Sequence, residues 1–228
     1  MTPHKNISVL LVEDHAIVRQ GLRALLNADG HFDIVGEART GREAIELART
    51  ERPDVILMDI AMPVLNGLEA TRQILATNPA ARVIILSAHS EDVYVERMNE
   101  AGVAGFLEKQ TSAEVLTKAI REVAAGRTYF SPSIARRMQA EVDKPRSRDG
   151  NVKANRNQLT ARESEVLQLV AEGSANKQVA GILGISIKTV DKHRQHLMDK
   201  LNIHEIAGLT RYAIAAGVIE SRVQVTIV

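Results

Sequence analysis

Over the first half of the chain, short apolar runs alternate with stretches whose apolar positions recur every three to four residues. The two periods predict strands alternating with helices. Residues 8–12, 34–35, 55–59, 83–87 and 104–109 read as strands. The third of these follows a Pro53-Asp54 breaker and is apolar on both faces, as suits a covered parallel sheet. Helices are predicted over 16–28, with Ile17, Leu22, Leu25 and Leu26 as apolar face and Gly30 as stop; over 41–50, behind a Thr40/Glu43 capping box; and over 67–77, between Asn66-Gly67 and Asn78-Pro79. A further helix is expected over 92–101, and a last one, capped by Thr111 and Glu114, runs to Ala125.

Five strands alternating with five helices predict an α/β fold with a parallel, doubly wound sheet and right-handed crossovers. In such a sheet the carboxyl ends of all strands share one edge, where ligands bind. Those ends carry Glu13 and Asp14, Asp59, Ser87 and Lys109, which should therefore converge across about a hundred residues of sequence. Three clustered carboxylates repel one another, and a hard divalent cation with oxygen ligands, Mg²⁺ best of all, relieves that repulsion. Lys109 and the Ser87 hydroxyl add donors for an incoming phosphoryl group, and Asp59 is the natural nucleophile, since a carboxylate forms an acyl phosphate without a general base.

The pattern changes after residue 126. A short helix is expected over 133–141, and residues 142–157 have almost no apolar content, as a linker does. Periodicity returns with a Thr160/Glu163 capping box and a helix whose face is Val166, Leu167 and Val170, stopped by Gly173. A second helix over 176–183, a Gly184-Ile185-Ser186 turn and a third helix over 187–201 make a helix-turn-helix, whose second element can lie in the DNA major groove. On the third helix Ile187, Val190, Leu197, Met198 and Leu201 form the inward stripe, while Lys188, Lys192, Gln195 and Asp199 centre the opposite face, with Asp191 on its flank. Arg194 falls within the apolar stripe, so its stem should pack while the guanidinium reaches outward. A fourth helix, over 203–216, offers Ile206, Leu209 and Ala213 to the core. Residues 218–228 are apolar and β-branched without a functional reading.

Charge sharpens this division. The overall +1 hides 14 Lys and Arg against 18 Asp and Glu in residues 1–130, 7 against 3 in 131–156 and 8 against 7 in 157–228. A basic segment thus joins an acidic first part to a nearly neutral end, which hints at an anionic partner for the second. With no cysteine, disulfide and thiolate chemistry are excluded. Aromatic residues make up only 3%, which argues against base stacking as the mode of nucleic-acid binding. No apolar run approaches a membrane span, and residues 1–6 are too short and polar for a signal peptide, so a cytoplasmic location is expected.

The first half resembles the receiver domains of bacterial response regulators. The match rests on the acidic pair Glu13-Asp14, the phosphoacceptor stretch Met58-Asp59-Ile60-Ala61-Met62-Pro63 with Asn66-Gly67 behind it, Ser87-Ala88 and Lys109. The resemblance implies a flavodoxin-like fold and phosphorylation of Asp59 by a sensor histidine kinase. It also implies Mg²⁺ held by Asp14, Asp59 and the backbone carbonyl of Ala61, with Glu13 acting through its longer arm. Phe106 takes the aromatic switch position and turns inward as Ser87 moves to the phosphoryl group; His89 lies on the rim. Gln110 stands where many receivers have proline, so no cis-proline turn is expected.

The exit segment at 126–135 resembles the NarL/FixJ branch of that family. Leu159-Thr-Ala-Arg-Glu163, Asn176-Lys-Gln-Val-Ala180, the 183–190 stretch, His193 and Met198-Asp-Lys-Leu201 resemble the LuxR-type DNA-binding domain. That resemblance implies a groove-facing set of Lys188, Asp191, Lys192 and Gln195, backbone contacts from Lys177 and Arg194, Thr189 as a further DNA-binding residue, and a homodimer on double-stranded promoter DNA. The expected domains are a receiver at 1–130, a linker at 131–156 and a DNA-binding domain at 157–228. The expected function is a phosphorylation-controlled transcription regulator rather than an enzyme. A phosphorylation-independent regulator with a vestigial pocket is the alternative. An α/β enzyme with an appended DNA module is disfavoured, because no Walker loop or glycine fingerprint follows the first strand.

Overall fold

The computed structural model describes residues 6–88, 98, 101–130, 134–136, 139 and 159–219. The chain divides into two compact units, residues 1–144 and 145–228.

In the first unit, strands β1 (Ile7–Val12), β2 (Phe32–Ala38), β3 (Val55–Asp59), β4 (Val83–Ser87) and β5 (Gly105–Glu108) form one sheet in the order β2-β1-β3-β4-β5. Every adjacent pair is parallel. Successive side chains point to opposite faces, so each strand feeds two cores. Leu10, Val12, Ile56, Met58, Ile85 and Phe106 pack with helices α2 (Gly41–Glu51) and α3 (Gly67–Thr77). Val9, Leu11, Leu57, Leu86 and Leu107 pack on the other face with α1 (Ala16–Asp29) and α4 (Ala113–Ala124).

Local signals explain most boundaries. Gly30 closes α1 with φ +75°, a conformation that glycine adopts without strain. Asn66 caps α3 through its side chain. Three details differ from expectation. Ile17 is 83% exposed while Arg19 is buried, because at about 100° per residue Arg19 shares a face with Leu22 and Leu26 and Ile17 lies opposite. Ser112, not Thr111, caps α4; the Thr111 N–H instead closes a turn on the Glu108 carbonyl. The Glu43 carboxylate accepts from the Arg39 N–H, one residue before the cap, while Thr40 accepts from Glu43 as expected.

The segment leaving α4 stays on the sheet. Tyr129 makes a parallel bridge to Gly105; its carbonyl accepts from the Phe106 N–H at 3.0 Å and its own N–H donates to the Ala104 carbonyl at 3.0 Å. Tyr129 packs on the α1/α4 face, whereas Phe130 and the buried Ile134 join the Phe106 face. Residues 134–136 and 139 are helical within the short helix expected at 133–141. The helix expected over 92–101 lies largely outside the described residues, as do His89, the 142–157 segment and residues 220–228.

The second unit comprises α5 (Ala161–Ala171), α6 (Asn176–Leu183), α7 (Ile187–Leu201) and α8 (Ile206–Ala215). The Thr160/Glu163 capping box forms, and Gly184 makes the left-handed turn between α6 and α7. Helix α5 packs against α7 and α8, and α6 against α7. Val190 and Leu197 are buried as expected, but Ile187 is 47% and Ile206 54% exposed. Each is the first residue of its helix, and a helical side chain leans toward the N-terminus, here off the end of the packed surface. Helix α8 starts three residues later than expected, because Asn202 ends α7 with φ +52° and the Ile203 N–H still bonds back to Met198. Among the described residues no helix is long and apolar enough to cross a membrane.

Candidate functional site

The carboxyl edge of the sheet gathers its chemistry as strand order dictates. Strand β3 lies between β1 and β4, so Asp59 ends beside Glu13 and Asp14 on one side and Ser87 on the other. Lys109, just past β5, closes the group: its Nζ lies 2.8 Å from Glu13 Oε2 and 2.9 Å from Asp59 Oδ2. The Ser87 carbonyl accepts from the Lys109 N–H at 2.7 Å and so fixes where that lysine begins. Ser87 itself is buried one residue beyond Leu86, the register partner of Asp59. Ala61 is half-buried in the turn after β3, and Phe106 is buried in the core beneath.

His15 completes the rim. Its backbone N–H and Nδ1 lie 3.2 and 3.1 Å from Glu13 Oε1, and Nδ1 is 2.8 Å from Asp14 Oδ1. One ligand atom each from Glu13, Asp14, His15 and Asp59 fits within 4.8 Å of all the others. Packing carboxylates this closely is costly. Burial, then the charge of Glu13 and later that of Asp14, push Asp59 up to about 7 against the opposing pull of Lys109. Burial would lower the Lys109 pKa, but Asp59 and Glu13 more than offset it and the net shift is upward. Three clustered carboxylates, with the buried oxygens Glu13 Oε2 and Asp59 Oδ2 sharing the Lys109 ammonium and the buried Asp14 Oδ1 beside His15 Nδ1, are a donor set that fits a hard divalent cation.

Arg19 escaped the sequence reading. It is 6% exposed, and its Nη1 donates to the Glu13 carbonyl at 2.7 Å while Nε donates to Glu37 Oε2 at 3.0 Å. The available signal was a cation placed on the same face as Leu22 and Leu26.

In the second unit, α7 turns Lys188, Asp191, Lys192 and Gln195 outward, and Lys177 is exposed on α6. Thr189 is half-buried, its hydroxyl 2.8 Å from that of the cap Ser186. Asp191 and Arg194 are tied together through Asn176: the Asn176 amide donates to Asp191 Oδ1, and Arg194 Nη1 donates to Asn176 Oδ1. Sequence reasoning gave Asn176 no part beyond the helix-turn-helix resemblance; its position at the start of α6, opposite two charged residues of α7, was the missing clue. Gln195 donates to Asp199 at 2.8 Å. At the far end of α7, Lys200 reaches the buried Glu163 carboxylate at 2.6 Å, locking α7 to the start of α5.

Comparison with known proteins matches both units. Residues 9–121 match the response regulator receiver domain, and residues 157–213 match the bacterial regulatory proteins of the luxR family. The chain is 36% identical over 219 residues to the transcriptional regulatory protein MctR of Rhizobium johnstonii, covering 96% of this chain and 98% of that one. A solved two-component response regulator of the LuxR family from Aurantimonas sp. SI85-9A1 is 36% identical, with TM-score 0.56, over 60% of this chain and 98% of its own. A complex of the two-component response regulator RcsB with DNA is 25% identical, with TM-score 0.54, over 92% of this chain and 98% of its own.

Proposed function

The chain belongs to the response regulators that join a receiver domain to a LuxR-type DNA-binding domain, and on that premise we propose that Asp59 accepts a phosphoryl group that controls sequence-specific DNA binding. The observation that carries this reading is the approach of Lys109 Nζ to both Glu13 and Asp59 at the end of the sheet. Receiver, linker and DNA-binding domain are taken as residues 1–130, 131–156 and 157–228.

The donor is the phosphohistidine of a sensor histidine kinase. An Asp59 carboxylate oxygen attacks phosphorus, the P–N bond breaks, and the histidine ring leaves with its electron pair and a proton from solvent. Glu13, Asp14, Asp59 and the Ala61 carbonyl would hold Mg²⁺, which when bound supplies positive charge to the phosphoryl oxygens. Lys109 adds a second positive charge at the same place, and the Ser87 hydroxyl donates to a phosphoryl oxygen. Movement of Ser87 opens space into which Phe106 turns, and the receiver shifts between two states. The chain promotes only its own phosphorylation and dephosphorylation.

Two copies then bind promoter DNA as a homodimer. Lys188, Thr189, Asp191, Lys192 and Gln195 face the groove; Lys177 and Arg194 approach the backbone. Held by Asn176, Asp191 offers an acceptor to a base-edge donor such as cytosine N4. The protein works in the cytoplasm.

The test is intact-mass measurement after incubation with a cognate kinase or acetyl phosphate in Mg²⁺, alongside Asp59→Asn, followed by selection of binding sites from a random DNA library. One phosphate adduct that Asp59→Asn abolishes, together with tighter and more selective DNA binding, is expected. An adduct that survives Asp59→Asn, or DNA binding indifferent to phosphorylation, overturns the proposal.

A further inference from the structure

Among the described residues of the first unit the buried charged residues are Glu13, Asp59 and Arg19. Two are in the acidic pocket, and the third lies behind it. A buried guanidinium is costly unless its donors are used, and two of the three Arg19 nitrogens have partners at this corner of the pocket. Nη1 reaches the Glu13 carbonyl at 2.7 Å and lies 3.5 Å from the Asp14 carbonyl; Nε reaches Glu37 Oε2 on β2 at 3.0 Å. Arg23, one turn along α1, holds the other oxygen of Glu37 at 3.4 Å.

The need for this contact follows from the sheet. The pairing of β1 with β3 ends at Val12, and the Glu13 N–H still bonds to the Ala38 carbonyl of β2 at 3.0 Å. Beyond that point the chain must turn into α1 while aiming two consecutive carboxylates at one place. The Glu13 carbonyl has left the ladder, and Arg19 receives it. Glu13 is thereby fixed from both sides, its N–H by β2 and its carbonyl by α1.

We propose that Arg19 is a positioning residue for the divalent-cation site: its guanidinium sets the backbone of Glu13 and Asp14 so that both carboxylates meet the ion together, and Glu37 orients the guanidinium. The inference rests on the Mg²⁺ reading above. Outer contacts that orient metal-binding side chains typically change affinity about 10–100-fold when removed. A lysine at position 19 keeps the charge but lacks the fork that spans a carbonyl and a carboxylate.

The experiment is calorimetric titration of the full-length protein with Mg²⁺, together with thermal melting in EDTA. Wild type is compared with Arg19→Lys, Arg19→Gln, Glu37→Gln, the pocket control Asp14→Asn, and Ile120→Val as a change in the core on the α1/α4 face. Titrations are run well below each melting temperature. Wild type and Ile120→Val should bind one Mg²⁺ alike; the Arg19 variants should bind it about 10–100-fold more weakly, and Glu37→Gln a few-fold more weakly. Should Arg19→Gln not fold, Arg19→Lys and Glu37→Gln carry the same comparison. Arg19→Lys and Glu37→Gln proteins that melt lower yet bind Mg²⁺ with wild-type affinity overturn the inference and leave the metal site standing. A wild type that binds no Mg²⁺, or binds it as well after Asp14→Asn, overturns the metal reading and the inference with it.

Discussion

A Cβ added to Gly67 would stand 1.9 Å from the carbonyl oxygen of Asp59. The first residue of α3 therefore rests directly on the backbone of the proposed phosphoacceptor, and the Gly67 N–H reaches the next carbonyl, that of Ile60, at 2.9 Å. Gly67 is needed for space rather than for an unusual dihedral, since no positive φ is involved. Gly67→Ala cannot be relieved by a side-chain rotation, because backbone opposes backbone. The expected result is loss of about 3 kcal/mol or more of receiver stability, read by denaturant titration. A change below about 1 kcal/mol would show that the turn yields at little cost.

The raised Asp59 pKa makes the metal-free receiver pH-sensitive. In the unfolded chain this carboxyl titrates near 3.8, whereas in the folded protein it is pushed up to about 7. A group raised on folding contributes stability that is present below the lower value and lost as pH rises through the upper one. In EDTA, Asp59→Asn should therefore melt higher than wild type at pH 8, by about 1–3 kcal/mol, with the gap closing as pH falls toward 4. Saturating Mg²⁺ should narrow the gap at pH 8, since the cation supplies the missing charge. Calorimetric melts at several pH values provide the check; a gap that is constant with pH would contradict it.

Glu163 has the opposite sign. Burial would raise its pKa, but Lys200 and the Thr160 donors prevail and lower it from 4.5. Its contribution is thus present above that value and lost as pH falls below it. Glu163→Gln should destabilise the second unit by about 1–3 kcal/mol at pH 7, combining a lost ion pair with a weakened cap. Helical signal through a thermal melt measures it, and the difference should shrink below pH 4.

On the DNA face, charge and preference should separate. Lys188→Ala and Lys192→Ala, both exposed on α7, should each weaken binding across sequences or at one base pair according to whether phosphate or base is touched. A phosphate contact lowers the slope of log affinity against log salt by about 1. Asp191→Asn should instead raise general affinity and broaden site choice, because an acceptor held by Asn176 is replaced by a neutral amide. Fluorescence anisotropy over a salt series and a randomised site separates these outcomes.

The strand ends were legible because chemistry and period coincide there: a β run that stops on Asp59 or Lys109 can be read directly, and parallel topology then brings the ends together. The start of α3 behind Asn66-Gly67, and Gly184 in the turn between α6 and α7, were equally visible, since the demands on such positions are local. Arg19 was not, because its partners are a backbone carbonyl six residues before it and a carboxylate eighteen residues after it, on another strand. Ile187 and Ile206 were misjudged for a related reason. Their angles fit the apolar stripe, but angle says nothing of where along its axis a helix stops being covered.

The parallel bridge between Tyr129 and Gly105 has a consequence for where the receiver can be cut. Strand β5 is the edge of the sheet, and an uncovered edge offers its N–H and carbonyl groups to any passing strand. Here the chain itself pairs with the start of that edge, at Gly105 and Phe106, with Phe130 and Ile134 folding over onto the core beneath. A receiver truncated after Gly126, at the apparent end of its last helix, would lose this cover and present both an open ladder and bare apolar surface. Its self-association would then be a product of the truncation, easily mistaken for a physiological dimer, whereas a fragment extended past Gln139 keeps the Tyr129 bridge and the Phe130 and Ile134 cover.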